Sequence, residues 1–246
     1  MGFIGDQNIN NQYKASSETE LLSLLAKQNL EVPARTKRGG KSRRIAVETR
    51  MMFRTLATLA QESFLSYPLE LFHQDKPDFL LLYDDHKVGI ECVEAVSEEW
   101  AETDALMEID GKRAILFEDN FKIGTPRRTA SERRSIINNK RRGQGWGDNE
   151  MEIDWASGIY QFVSKKTEDL EKPEFQKYGD NWLLIWSNLP GIVKDAKIAM
   201  KYLMPKLTCY WSGNNHYDKL LIDMGNNIVE IQYQAWKLYP IPDLWS

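Results

Sequence analysis

Two carboxylates stand where apolar side chains are expected. Residues 76–96 read KPDFLLLYDDHKVGIECVEAV, the pattern of a hairpin: an apolar run over 79–83, a polar turn over 84–87 and a second apolar run over 88–93. Asp78 opens the first strand, and Glu91 interrupts the second between Ile90 and Cys92. A carboxylate buried among apolar strand residues is costly unless a proton, a cation or a metal neutralises it. Two such groups on neighbouring strands suit oxygen ligation of a divalent cation, so Asp78 and Glu91 are expected to share one metal.

Other charged residues join them by their spacing. Over 45–64, Ile45, Met52, Leu56, Leu59 and Ser63 fall on one helical stripe, and Glu48 fills the place where an apolar residue is missing. Either Glu48 is satisfied by backbone N–H groups and the helix dipole, or it is a third acid aimed at the same site. Further on, Trp155, Ile159, Phe162, Val163 and Leu170 form a second stripe, with Lys166 on it and Lys165 pointing away. Lys166 either snorkels its ammonium to the edge of the core or meets the buried acids.

Positive charge is segregated. The formal net charge is -4, yet residues 33–44 carry Arg35, Lys37, Arg38, Lys41, Arg43 and Arg44 with no acid. Residues 125–142 set Arg127, Arg128, Arg133, Arg134, Lys140, Arg141 and Arg142 against Glu132 alone. Local concentration of charge governs phosphate binding more than the overall balance. The first stretch, with Gly39-Gly40, reads as a linker that is either a solvated connection or a phosphate-contacting arm. The second reads as a long surface loop with a turn or two of helix.

The elements that must position these residues follow from the rest of the chain. The first dozen residues are polar and expected to fray. Ser16 or Ser17 with Glu20 caps a short helix whose apolar face is Leu21, Leu22, Leu24 and Leu25. A strand is expected over 69–73, a solvated acidic face over 97–110, and a central strand covered on both faces at NWLLIW, 181–186. A helix over 192–203 should end before Pro205. A closing hairpin joins 217–223 to 228–234, and the tail YPIPDLWS reads as extended. The class is α/β, with an N-terminal helix and basic linker over 1–44 and a single domain over 45–246. Hydrophobic content of 42% with eight Trp suffices for its core.

Several functions are excluded. Three scattered His and two Cys give neither a His- or Cys-based metal site nor a disulfide framework. No apolar run approaches the roughly 20 residues of a membrane span, and the N-terminus has no apolar signal core. A soluble, cytoplasmic protein is expected.

A helix bearing Glu48, a hairpin with Pro77-Asp78 and then Gly89-Ile90-Glu91-Cys92-Val93-Glu94, a further helix and an apolar strand together resemble the core of the PD-(D/E)XK nuclease superfamily, over about 45–186. The resemblance implies a restriction-endonuclease-like mixed central sheet flanked by helices, an αβββαβ core with the N-terminal helix and C-terminal strands appended. It implies a metal-dependent endonuclease using Mg²⁺ or Mn²⁺ to hydrolyse nucleic acid, DNA foremost, in restriction, phage defence or a mobile element. Its site would be Asp78, Glu91, Lys166 and Glu48, with the metal on Asp78, Glu91 and the backbone carbonyl of Cys92. Phosphate contacts would come from Arg35, Lys37, Arg38, Arg43, Arg44, Arg127, Arg128, Arg133, Arg134, Lys140, Arg141 and Arg142. A homodimer or an activating partner fits the same setting.

One position departs from that pattern. The superfamily places a lysine two residues past the strand acid, where this chain has Val93. Variants are known in which the lysine has moved to a neighbouring helix, and Lys166 is the candidate here. Glu94 is a poorer substitute, since strand alternation sends it to the opposite face. If nothing replaces the lysine, the alternative is a catalytically degenerate subunit that binds nucleic acid or a partner protein.

Overall fold

The computed structural model describes residues 12–35, 40–112, 126–139, 147–189 and 193–245. Lys37, Arg38, Lys140, Arg141 and Arg142 lie outside them. Eight strands form one mixed sheet in chain order: β1 (Gln12–Ala15), β2 (Leu69–His73), β3 (Phe79–Tyr83), β4 (His86–Ala95), β5 (Asp180–Ser187), β6 (Lys219–Asp223), β7 (Asn227–Gln232) and β8 (Ala235–Pro240). β4, β5 and β6 are parallel and every other neighbouring pair is antiparallel. Parallel neighbours need crossovers long enough to hold helices, and the chain supplies them between β4 and β5 and between β5 and β6.

Side-chain alternation divides the core into two. Ile90 and Cys92 of β4 and Trp182 and Leu184 of β5 pack with α1 (Glu18–Ala26) and α2 (Lys41–Gln61). Ala95 of β4 and Leu183 and Ile185 of β5 pack on the opposite face with α5 (Glu150–Thr167) and α6 (Ala196–Trp211). β5 is thus apolar on both faces, as its near-continuous run demands. α3 (Glu98–Ile109) and α4 (Ala130–Asn139) pair through a small cluster of Leu106, Met107, Ile136 and Ile137. Among the described residues no helix is long and apolar enough to cross a membrane.

The fold departs from the sequence expectation at several edges. The fraying expected of the first dozen residues falls, but for Gln12, outside the described residues, and Gln12 opens the edge strand β1, tied by pairing to β2. α2 begins at Lys41, so Arg43 and Arg44 ride on a helix and not on a linker. The acidic stretch after Ser97 is the helix α3, capped by the Ser97 hydroxyl accepting from the Trp100 N–H, and Glu99 on it is buried. α6 runs through Pro205, which sits on the solvent side beside an equally exposed Lys201. There water can take the carbonyl that the missing N–H leaves free. An eighth strand, β8, is hairpinned to β7 and ends on Tyr239 and Pro240, the first two residues of the tail.

Candidate active site

A fork in the sheet creates the site. β3 pairs with β4 from Tyr83 opposite His86 to Phe79 opposite Ile90 and stops there, while β4 runs on through Glu91 to Ala95 beside β5. The Asp78 carboxylate takes over where β3 ends. Its Oδ2 accepts the Cys92 N–H at 2.8 Å, a bond the ladder would otherwise have made. Carrying the register one step further sets position 78 across from position 91, so a strand end and a strand middle contribute two acids to one place.

Three elements complete it. From α5, Lys166 Nζ donates to Glu91 Oε1 at 2.6 Å and lies 3.3 Å from Asp169 Oδ2 in the following 3-10 turn (Glu168–Glu171). From α2, Glu48 Oε1 lies 2.9 Å from Arg44 Nε, and its Oε2 is 3.0 Å from His73 Nε2 on β2. The partners of Glu48 are therefore side chains and not the backbone of its helix. Glu48, Asp78, Glu91, Cys92, Val93 and Lys166 all line one cleft of about 490 Å³, with Arg43, Arg44, Lys76 and Lys172 also in its wall.

The electrostatics are unbalanced toward negative charge. Burial, and then the neighbouring Glu91 and Glu48, push the Asp78 carboxyl up to about 8. Burial raises Glu91 as well, against the opposing pull of Lys166. Burial would lower Lys166, but Glu91 outweighs it, and the ammonium is held above its ordinary value. Glu91 Oε2 is buried and has no hydrogen-bond partner. An orphaned buried carboxylate oxygen is among the costlier defects a fold can carry.

Among the described residues no group of three or more His, Cys, Asp or Glu side chains is placed to hold a metal. What the cleft offers instead is the two carboxylates of Asp78 and Glu91, hard oxygen donors that suit Mg²⁺ or Mn²⁺ better than a softer ion. With Lys166 on Oε1 of Glu91, the open oxygen is Oε2. A cation there would neutralise Asp78 and partner Glu91 together, so the residues present fit such an ion.

The described arginines expected to meet phosphate are all engaged within the chain. Arg35 pairs with Glu94 and Asp104, Arg43 with Glu94, and Arg44 with Glu48 and Asp75. Arg127 pairs with Glu102, Arg128 with Glu99, and Arg134 with Asp110. Arg133 is turned inward: its side chain is 7% exposed and bound to Glu99 and Glu102. Phosphate cannot reach Arg133 without displacing both acids, so this position has a structural account that the basic stretch alone did not give. His73 and Asp169 escaped the sequence reading. Asp169 carried a signal, lying three residues beyond Lys166 on the same helical side; a lone His ending a strand carried none.

Comparison of the chain with family models, with curated proteins and with solved structures returned no match.

Proposed function

We propose that the chain is a metal-dependent nuclease that hydrolyses phosphodiester bonds, DNA being the first substrate to test, on a restriction-endonuclease-like core. One observation carries the reading: Lys166 reaches Glu91 from a helix, in a cleft that also holds Asp78 and Glu48, while the strand position for a lysine is filled by Val93. The element order α2, β2, β3, β4, α5, β5, with α3 and α4 inserted between β4 and α5, supports it, as does the resemblance of Pro77-Asp78 and Glu91 to the PD-(D/E)XK pattern.

Asp78, Glu91 and the Cys92 carbonyl would hold Mg²⁺ or Mn²⁺, which when bound supplies Lewis acidity and an acidified water. The chain's own residues do the remainder. Asp78, anchored through one oxygen by the Cys92 N–H, lines the cleft. Lys166 keeps its proton and places a positive charge beside Glu91, close to where a pentacovalent phosphate would gain negative charge. Glu48, steadied by Arg44 and His73, is a carboxylate able to accept a proton from an attacking water. Arg44, Lys76 and Lys172 on the rim attract the flanking phosphates.

The test is cleavage of duplex DNA, single-stranded DNA and RNA by purified protein with Mg²⁺ or Mn²⁺, repeated with Asp78→Ala, Glu91→Ala and Lys166→Ala. Cutting is expected to need the metal and to vanish in each variant. Cutting that survives both carboxylate substitutions would end the site assignment. Salt-sensitive binding with no cutting under any metal would favour the degenerate binding subunit, for which Val93 is the supporting observation.

A further inference from the structure

α3 and α4 sit in the crossover between β4 and α5 and wall a second cavity, of about 500 Å³. Its floor is apolar. Ala101, Ala105 and Ile109 recur every four residues along one side of α3, and Ile109 is 48% exposed, a large apolar side chain left facing outward. The walls carry Arg43, Arg127 and Arg128, each paired with an acid of the chain, and Glu102 is the one carboxylate among the described lining residues.

Arg43 belongs to both cavities. Its Nη1 and Nη2 atoms are held by Glu94 at 2.9 and 3.3 Å, and its Nε is buried with no acceptor. The acid-lined cleft and the arginine-walled groove therefore share Arg43 in their walls. A strand running from the first to the second would have to pass Arg43.

We propose that the groove seats one unpaired nucleotide of the substrate strand, its base on the Ala101, Ala105 and Ile109 floor and its phosphate among the arginines. This rests on the nuclease reading and narrows it: the preferred substrate has a single-stranded end or branch beside the scissile bond. The volume lies within the roughly 300–1,000 Å³ of clefts that enclose small molecules. It is far too small for a duplex, whose major groove alone is about 12 Å wide. Bases splayed from a single strand stack on guanidinium planes as well as on aromatic rings, and Arg127, whose edge is paired with Glu102, keeps 68% of its side chain exposed. An acidic peptide would use the same arginines but would gain nothing from the floor or from continuity with the cleft.

Asp78→Asn protein, which binds without cutting, is titrated by fluorescence anisotropy with a blunt DNA duplex and with the same duplex carrying a short single-stranded overhang. The overhang is expected to bind about tenfold tighter, the scale of one stacked base. Adding Arg127→Ala and Ile109→Glu, both at exposed positions, should bring the two affinities together while circular dichroism stays unchanged. Equal affinities at the outset would overturn the proposal. So would a preference that survives the double substitution, or a poly-glutamate peptide that competes as well as the free overhang strand. The two readings fail separately. An overhang preference abolished by the double substitution, in a wild-type protein that never cuts, upholds the nucleotide seat and defeats the nuclease. Cutting with no overhang preference does the reverse.

Discussion

Between α3 and α4 the buried carboxylate of Glu99 has both oxygens occupied, by the Arg133 guanidinium and the Arg128 N–H, whereas at the sheet fork the equally buried Glu91 leaves one oxygen without a partner. Both regions bury acids beside a long cation on a helix. In the first, acids and arginines interlock, with Glu102 adding a second acid to Arg133. In the second, Lys166 meets Glu91 and Asp169, Glu48 is held by Arg44 and His73, and Asp78 has no cation paired with it among the described residues. Burial opposes ionisation of Glu99, yet the bonds from Arg133 and from the Arg128 backbone overcome it and hold the carboxyl below its ordinary range. Burial of Asp78 meets two more acids and drives its carboxyl upward. A closed set of charges stabilises the fold, while an open set is held in place by the fold and has capacity left for a ligand.

That contrast is most exposed by neutralising one acid in the open set. Asp78→Asn should lower metal-dependent cleavage by roughly a thousandfold, the scale on which single groups act at a reacting centre, and raise the urea midpoint measured in chelator. The gain arises because the variant removes like-charge repulsion while keeping an oxygen for the Cys92 N–H. It should grow with pH. An acid whose folded pKa is raised binds its proton more tightly when folded, so wild-type stability falls as pH rises from 3.8 towards about 8. A midpoint that drops in Asp78→Asn would show the acid to be structural and break the comparison.

The closed set should respond in the opposite sense. Arg133→Met leaves Glu99 buried and short of its main partner and should cost about 3 kcal/mol or more in urea unfolding, as removal of one member of a buried pair does. A cost near zero would mean the cluster is held by its apolar neighbours Ile136 and Ile137 and not by charge. Between these lies a smaller, pH-resolved effect. Because the folded Glu99 carboxyl is depressed, its contribution is complete above its ordinary value of 4.5 and is lost as pH falls through the lower folded value. Stability of the wild type should therefore decline on acidification below about 4.5 more steeply than that of Glu99→Gln, and equal acid limbs would count against the assignment.

How much of this was legible in advance depended on whether a residue's partners were near it in sequence or implied by a period. Asp78, Glu91, Glu48 and Lys166 each broke an apolar pattern of known period, and each lines the cleft. The strands β2, β3 and β5 announced themselves by short apolar runs. α3 did not, because its acidic composition reads as solvated until Arg133 arrives 34 residues later to bury Glu99. The edge strands β1 and β8 fully bury only Ala15 and Tyr239 and owe their form to pairing with β2 and β7, a tertiary effect that local pattern does not encode.

The finest division runs through two adjacent arginines of α4. Arg133 and Arg134 are the same residue type one step apart, and a helix turns successive side chains about 100° from each other, so one faces Glu99 and the other Asp110 at the surface. Arg134 is 42% exposed against 7% for Arg133, and its pair with Asp110 is open to water and salt. Exposed pairs of this kind contribute little, and what they contribute is screened within a Debye length. Arg134→Ala should leave the urea midpoint close to the wild type in dilute buffer, with any residual difference gone at high salt, while the deficit of Arg133→Met persists. If the two variants lost stability alike, or if salt erased both deficits, then burial would not be what separates them, and the cluster at α3 and α4 would be a charged surface and not the closed counterpart of the cleft.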